Sequence, residues 1–143
     1  MWRPSASGSR RMVADALSHA CRRQQFGQPI AHFQLVQAML AESQTELLSA
    51  EALVLETARL MDVGGRHSEN VACAKLFASE AAGRIADRCL QIHGGAGYLK
   101  SHAIEQFYRD VRVFRIIDGT SQIQQLVIAR SMIGRFEKAA GGL

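Results

Sequence analysis

Apolar residues recur at three- and four-residue intervals along nearly the whole chain, the spacing of one buried face of an α-helix. The first such stretch covers residues 9–25, with Met12, Ala16 and Ala20 on one face, and stops at Phe26-Gly27-Gln28-Pro29, where glycine and proline break it. A second runs over residues 31–63 through Phe33, Val36, Leu40, Leu47, Leu53, Val54 and Met61, and ends at Gly64-Gly65. Ser68 stands where an N-cap is wanted. The helix it opens carries Ala74, Phe77, Ala81, Ile85, Cys89 and Ile92 as a continuous stripe up to Gly94-Gly95. The many alanines in that helix predict close contact with its neighbours. A fourth helix is predicted over residues 102–113 and a fifth over residues 120–136, the last with Ile123, Leu126, Val127 and Ala129 or Arg130 on adjoining faces. The closing Ala-Ala-Gly-Gly-Leu reads as a disordered tail. The opening MWRPSASGSRR reads as a frayed helix start or, being rich in Arg and Ser and free of acid, as a transit peptide. Helices joined by short glycine-containing turns describe an all-α fold, an antiparallel up-and-down bundle that takes residues 1–143 as one domain.

Composition supports that picture. A chain of 143 residues is long enough to bury a core without staples, and its 48% hydrophobic and 21% charged residues are those of an ordinary globular protein. Two prolines and few aromatics argue against a β-sandwich. Cys21, Cys73 and Cys89 lie far apart with no C-x-x-C spacing, which suggests a reduced, intracellular setting: the cytoplasm, or the mitochondrial matrix in a eukaryote. No segment approaches the ~20 apolar residues of a membrane span. The net charge of +4 and the pI near 9.3 favour an anionic partner, either the phosphates of a cofactor or nucleic acid.

Four segments hold candidate chemistry. Arg23, three residues before Phe26-Gly27, places a guanidinium beside a backbone that bends sharply; it also suits a helix C-terminus as a simple stabilising cation. The run Gln91-Ile92-His93-Gly94-Gly95-Ala96-Gly97-Tyr98 forms either a helix C-cap with a tight turn or a set of backbone N–H groups open to a phosphate or a ring. His93 lacks a second ligand at metal spacing, His19, His32, His67 and His102 being scattered in sequence. The stretch from Tyr108 to Arg115 repeats arginine every third residue, as a nucleic-acid footprint or as a face ion-paired with Glu105 and Asp110. Asp118, ahead of Gly-Thr-Ser-Gln, is either a helix N-cap or, if Thr120 caps instead, a carboxylate free to act as a general base in a pocket walled by Ile116 and Ile117.

In their order and spacing, R-x-x-F-G-x-P-I-x-x-F-Q (residues 23–34), A-x-x-x-A-D-x-x-x-Q-I-H-G-G-x-G-Y (82–98), Y-R-D-x-R (108–112) and D-G-T-S-Q-I-Q-x-L-V-I-A-R (118–130) resemble the C-terminal helical domain of the acyl-CoA dehydrogenases. The resemblance covers residues 10–136. It implies an FAD enzyme that takes a proton from the α-carbon and a hydride from the β-carbon of an acyl-CoA thioester and passes electrons to an electron-transferring flavoprotein. Asp118 falls at the position of the family's catalytic base. The resemblance implies cofactor contacts for Arg23, Gln25 and Phe26, for Gln34 on the adenine side, and for Gln91, Gly94 and Gly95 around the adenosine, all toward the flavin of a neighbouring subunit. Thr120 and Gln122 would touch the flavin of their own subunit, with Gly119 beside the thioester. Shared flavin sites imply a homo- or hetero-oligomer.

Three features depart from the family. Most members have glutamate where Asp118 stands, and loss of one methylene draws the carboxylate back by roughly 1.5 Å; this predicts a different pocket, for a branched or cyclic acyl group, or low activity. Arg10-Arg11 replace small residues, predicting looser packing at the start of the first helix. The chain also lacks the N-terminal helical and middle β-domains, so it is expected to bind FAD weakly alone, to expose an apolar face and to need those domains from a partner. The alternative is a non-catalytic helical interaction module, or inactive fragment, that pairs with a full-length relative. A nucleic-acid-binding bundle ranks below both, because Glu105, Asp110 and Asp118 interrupt the basic stripe.

Overall fold

A computed structural model of the protein describes residues 3–141. Its helices are α1 (Arg3–Arg22), α2 (Gln34–Val63), α3 (Ser68–His93), α4 (Ala103–Val113) and α5 (Ser121–Ala140), with a two-stranded hairpin, β1 (Gln24–Gln25) and β2 (Gln28–Pro29), between α1 and α2. α3 packs against each of the other four helices. Pairs along it fix their directions. Glu46 meets Arg84 and Glu42 meets Arg88, so α2 runs against α3. His93 meets His102 and Glu80 meets Arg115, so α4 also runs against it, and Ser121 on Glu80 with Arg135 on Glu69 places α5 in the same direction further down. The bundle is therefore up-down-up-down, its fourth leg broken into α4 and α5, with residues 114–120 at the break.

The core lies where the apolar periodicity puts it. Met12, Ala16 and Ala20 of α1 are fully buried against Ala82, Ile85, Ala86, Cys89 and Ile92 of α3, joined by Leu47 of α2 and by Ile104 and Val111 of α4. Small side chains on α3 let the neighbouring backbones close in. Arg10 and Arg11 do not loosen this end: both are exposed, Arg10 holding Glu51 of α2 through two bonds of 2.7 and 2.8 Å and Arg11 holding Asp15, while Met12 and Val13 point inward. α5 is anchored at its far end, where Glu69 accepts a two-pronged bond from Arg135 and a bond from Ser131 at 2.6 Å. Arg135 holds the Glu69 carboxyl down at about 2. Outside these contacts α5 exposes the apolar side chains Ile123, Leu126, Met132, Ile133 and Phe136.

Several boundaries differ from expectation, each for a local reason. α1 stops at Arg22 because the next residues pair Gln24 with Pro29 and Gln25 with Gln28, and the Ile30 N–H donates to the Arg23 carbonyl at 2.9 Å. The turn needs positive φ at Phe26 (51°) and Gly27 (80°), the geometry of primed hairpin turns. Residues Ile30–His32 form a 3-10 turn, so α2 begins at Gln34. Ser68 is the first helical residue rather than the cap; His67 occupies the cap position without a side-chain cap bond. α5 continues past Phe136 to Ala140, so the two alanines assigned to a tail are helical, while Gly142, Leu143, Met1 and Trp2 lie outside the described residues. No described helix is long and apolar enough to cross a membrane.

Three of the histidines that are scattered in sequence meet in space. The His93 ring lies 4.5 Å from that of His19 and 4.7 Å from that of His102, locking the end of α1 to the end of α3 and the start of α4. His93 Nδ1–H donates to the Cys89 carbonyl at 2.7 Å. Burial, then the neighbouring His93, His102, Arg23 and Arg22, lower the His19 pKa; burial chiefly lowers that of His93, partly offset by the bond to Cys89 and by Asp15. Among the described residues no group of three or more His, Cys, Asp or Glu is arranged to hold a metal ion.

Two outcomes follow from this packing. Ala86→Leu, at a site with no exposed surface, should cost about 1–3 kcal/mol by overpacking, against less than about 0.5 kcal/mol for Ala58→Leu on an exposed face, both read from urea unfolding. Because the folded state resists the proton that an unfolded histidine accepts below 6.5, stability should fall as pH drops through 6.5. The Glu69 contribution persists until pH falls from 4.5 toward about 2, so melting temperatures between pH 7.5 and 5.5 isolate the histidines. His19→Gln should flatten that slope.

Candidate functional site

The candidate residues collect at two places on α3. The first is its C-terminal end. There the hairpin turn carries Arg23, Gln25 and Phe26, all exposed, and Phe26 is 93% accessible with its ring edge-on to Phe33 at 6.1 Å, next to exposed Gln34. The His19–His93 contact joins the end of α1, just before this hairpin, to the end of α3, where Gln91, Gly94 and Gly95 are exposed as well. The glycine run is a 3-10 turn, Gly94–Tyr98, rather than an open loop. Gly97 is buried in it and packed so closely that a Cβ there would lie 2.7 Å from the His93 Cβ.

The second place is the break between α4 and α5. Thr120 is the N-cap of α5, its Oγ1 accepting from the Ile123 N–H at 3.4 Å, so Asp118 is not the cap. Asp118 takes φ 54°, one of two non-glycine residues with positive φ among those described; the other is Phe26. Such conformations cost on the order of 1–3 kcal/mol and gather at functional positions. Gln124 Nε2 holds the tip, donating to the carbonyls of Asp118 at 3.1 Å and Gly119 at 3.2 Å. The expected apolar enclosure is not made here: Asp118 is exposed, and Ile116 and Ile117 are 54% and 42% accessible. Gln122 is exposed, and Gly119 and Thr120 are half-buried.

Beneath this loop lies a polar cluster that residue spacing did not reveal. Lys75 is 1% exposed, and the Ser121 hydroxyl donates to Glu80 Oε1 at 2.7 Å. Burial lowers the Lys75 pKa, opposed by the charges of Asp118 and Glu80. The signal was present in sequence as Lys75 and Ser79 interrupting the alanine face of α3 at helical spacing with Ala72. Of the arginine stripe, Arg109 pairs with Glu105 at 2.8 Å as expected, while Arg115 reaches Glu80 of α3. A cavity of about 260 Å³ between α3 and α4 is lined by Gly83, Tyr108, Arg109, Val111, Arg112 and Arg115.

From Glu80 to His93 is thirteen residues, about 20 Å along α3 at 1.5 Å per residue. One group thus stands at the C-terminal end of α3 and the other near its middle. The first is cationic, rich in donors and capped by an exposed ring; the second offers a carboxylate on a strained loop.

Comparison with known proteins gives this arrangement a context. The family described as acyl-CoA dehydrogenase, C-terminal domain, matches residues 3–133. The chain is 44% identical over 129 residues to the probable acyl-CoA dehydrogenase YngJ of Bacillus subtilis, covering 90% of this chain and 34% of that protein. It is 43% identical over 119 residues to CarC, a subunit of the caffeyl-CoA reductase–Etf complex of Acetobacterium woodii, covering 83% of this chain and 31% of that one. Among solved structures, the FAD complex of PigA superposes with a TM-score of 0.88 at 27% identity, over 92% of this chain and 34% of the other. The chain spans about a third of the length of the relatives it matches. Matched along nearly all of its length in sequence and in fold, this chain belongs to the acyl-CoA dehydrogenase family, as a C-terminal helical domain.

Proposed function

We propose that this domain contributes the base and part of the cofactor site of an FAD-dependent enzyme acting on the Cα–Cβ bond of an acyl-CoA thioester, with the rest of the site supplied by other domains or subunits. The observation that carries the reading is that the two described non-glycine residues with positive φ, Phe26 and Asp118, fall one in each candidate group. The Phe26 conformation belongs to its two-residue hairpin turn, whereas that of Asp118 is not required by the helices its loop joins, and loop strain of this kind gathers at functional positions.

The hairpin group fits a dinucleotide in its chemistry. The Arg23 guanidinium suits a pyrophosphate, the exposed Phe26 ring an apolar or aromatic surface, and the Gln25, Gln34 and Gln91 amides with the Gly94-Gly95 backbone suit polar edges. At the second group, Asp118 would take the α-proton, Gly119 would contact the thioester, and Thr120 and Gln122 would help to hold the flavin. When bound, FAD supplies a hydride acceptor for the β-carbon, so that loss of the proton and the hydride leaves a double bond. A dehydrogenase and a reductase both stand among the relatives; the same carboxylate would give back the α-proton when the reaction runs in reverse. Exposure of Asp118, Ile116 and Ile117, together with the apolar face of α5, leaves a surface for the domains or subunits that exclude water. Electron-transferring flavoprotein is the proposed redox partner, by analogy with the Etf-associated relative.

Asp118→Asn should lower turnover by about 10²–10⁴-fold, the usual contribution of a general base, read as anaerobic bleaching of bound flavin on addition of acyl-CoA thioesters to the full chain and whatever complex it forms. Unchanged bleaching in that variant would remove Asp118 as the base. Phe26→Ala should loosen FAD while changing stability by less than about 0.5 kcal/mol, since the ring is almost wholly exposed.

A further inference from the structure

The loop that carries Asp118 is closed at its neck and held there by one carboxylate. Its ends, Arg115 and Ser121, are joined by a backbone bond from the Ser121 N–H to the Arg115 carbonyl at 3.1 Å. Glu80, on α3, grips both ends. Its Oε2 pairs with Arg115 Nη2 at 2.8 Å, its Oε1 accepts from the Ser121 hydroxyl at 2.7 Å, and its backbone carbonyl accepts from Arg115 Nη2 at 3.4 Å. Glu80 and Arg115 are only about a third exposed, at 31% and 29%, and Ser121 is buried, so water competes less for these bonds than at an open surface. Gly83, one turn further along α3, makes room for the guanidinium: a Cβ there would lie 2.7 Å from Arg115 Nη2.

We infer that Glu80 is a positioning residue, which fixes where Asp118 stands by clamping both ends of residues 115–121. The inference rests on the base role proposed for Asp118. It is separable from a role in holding α5 in place, because α5 has its own anchor at Glu69, Ser131 and Arg135, ten or more residues away along the helix. Loss of the clamp should therefore free the loop without detaching the helix. The clamp also bears on the short side chain of Asp118, since an aspartate reaches less far than a glutamate and has less slack with which to correct a displaced loop.

The test compares Glu80→Ala, Glu80→Gln and Asp118→Asn in the full chain and any complex it forms. Amide hydrogen exchange is read at Ser121 and, as control, at Val127 within α5; kcat and KM are read with an acyl-CoA thioester. Glu80→Ala should speed exchange at Ser121 at least tenfold with Val127 unchanged, and should lower kcat by about ten- to a hundredfold with KM unaltered, as expected for a displacement of about 1 Å. Glu80→Gln can still bond both ends, its amide oxygen accepting from Arg115 and its amide N–H donating to the Ser121 hydroxyl oxygen, and should recover most of both losses. Unchanged exchange at Ser121, or kcat and KM falling together with faster exchange at Val127, would overturn the positioning role. Full turnover in Asp118→Asn would instead defeat the base assignment, and exchange at Ser121 would then still decide the clamp.

Discussion

Everything in this bundle depends on the small side chains of α3. Ala74, Ala78, Ala81, Ala82 and Ala86 lie on its buried surface, interleaved with Ile85, Cys89 and Ile92, and each of the other four helices packs on it. Alanine costs no side-chain entropy on burial and keeps backbones close, so a single helix can serve as the axis for four others. The dispersion attraction that such closeness brings is small for each atom pair and large in sum. Ion pairs on the rim, Arg84 and Arg88 with Glu42 and Glu46, then fix the register of α2.

An axis crowded on all sides leaves little room for chemistry within the core, and the candidate groups lie where the axis helix meets chain breaks. At its C-terminal end the histidine contacts hold the end of α1, which leads into the hairpin, to the end of α3, which leads into the glycine turn. Near its middle the fourth leg divides, and the ends of the resulting loop are tied to Glu80. In both places a backbone in the left-handed region is held by structure around it: Phe26 by the strand pairing, Asp118 by Gln124 and the closed neck. Strained residues persist only when their surroundings over-determine them.

Much of this was legible in the chain. Periodicity located all five helices and the buried faces of α1 and α3, and Thr120 as an alternative cap to Asp118 was already visible in the spacing. Ends were less so. The hairpin was hidden because Phe26 is a poor candidate for positive φ, and the early stop of α1 follows from that turn rather than from helix propensity. Ile123 and Leu126 fit a helical stripe but remain exposed, since α5 is covered on one side by α3 and periodicity cannot say which faces find a partner.

Residue spacing by itself determined the fold class and the close-packing alanine face of α3, because helical period and turn chemistry are local properties of a few adjacent residues, while the membership of the two candidate groups came from the resemblance of the motifs to a family. Only the tertiary structure decided that His19, His93 and His102 meet, that Arg115 leaves its own stripe for Glu80, and that one candidate group stands at the end of α3 and the other near its middle. Those relations join residues far apart in sequence, through packing on a shared axis, and no local pattern encodes them.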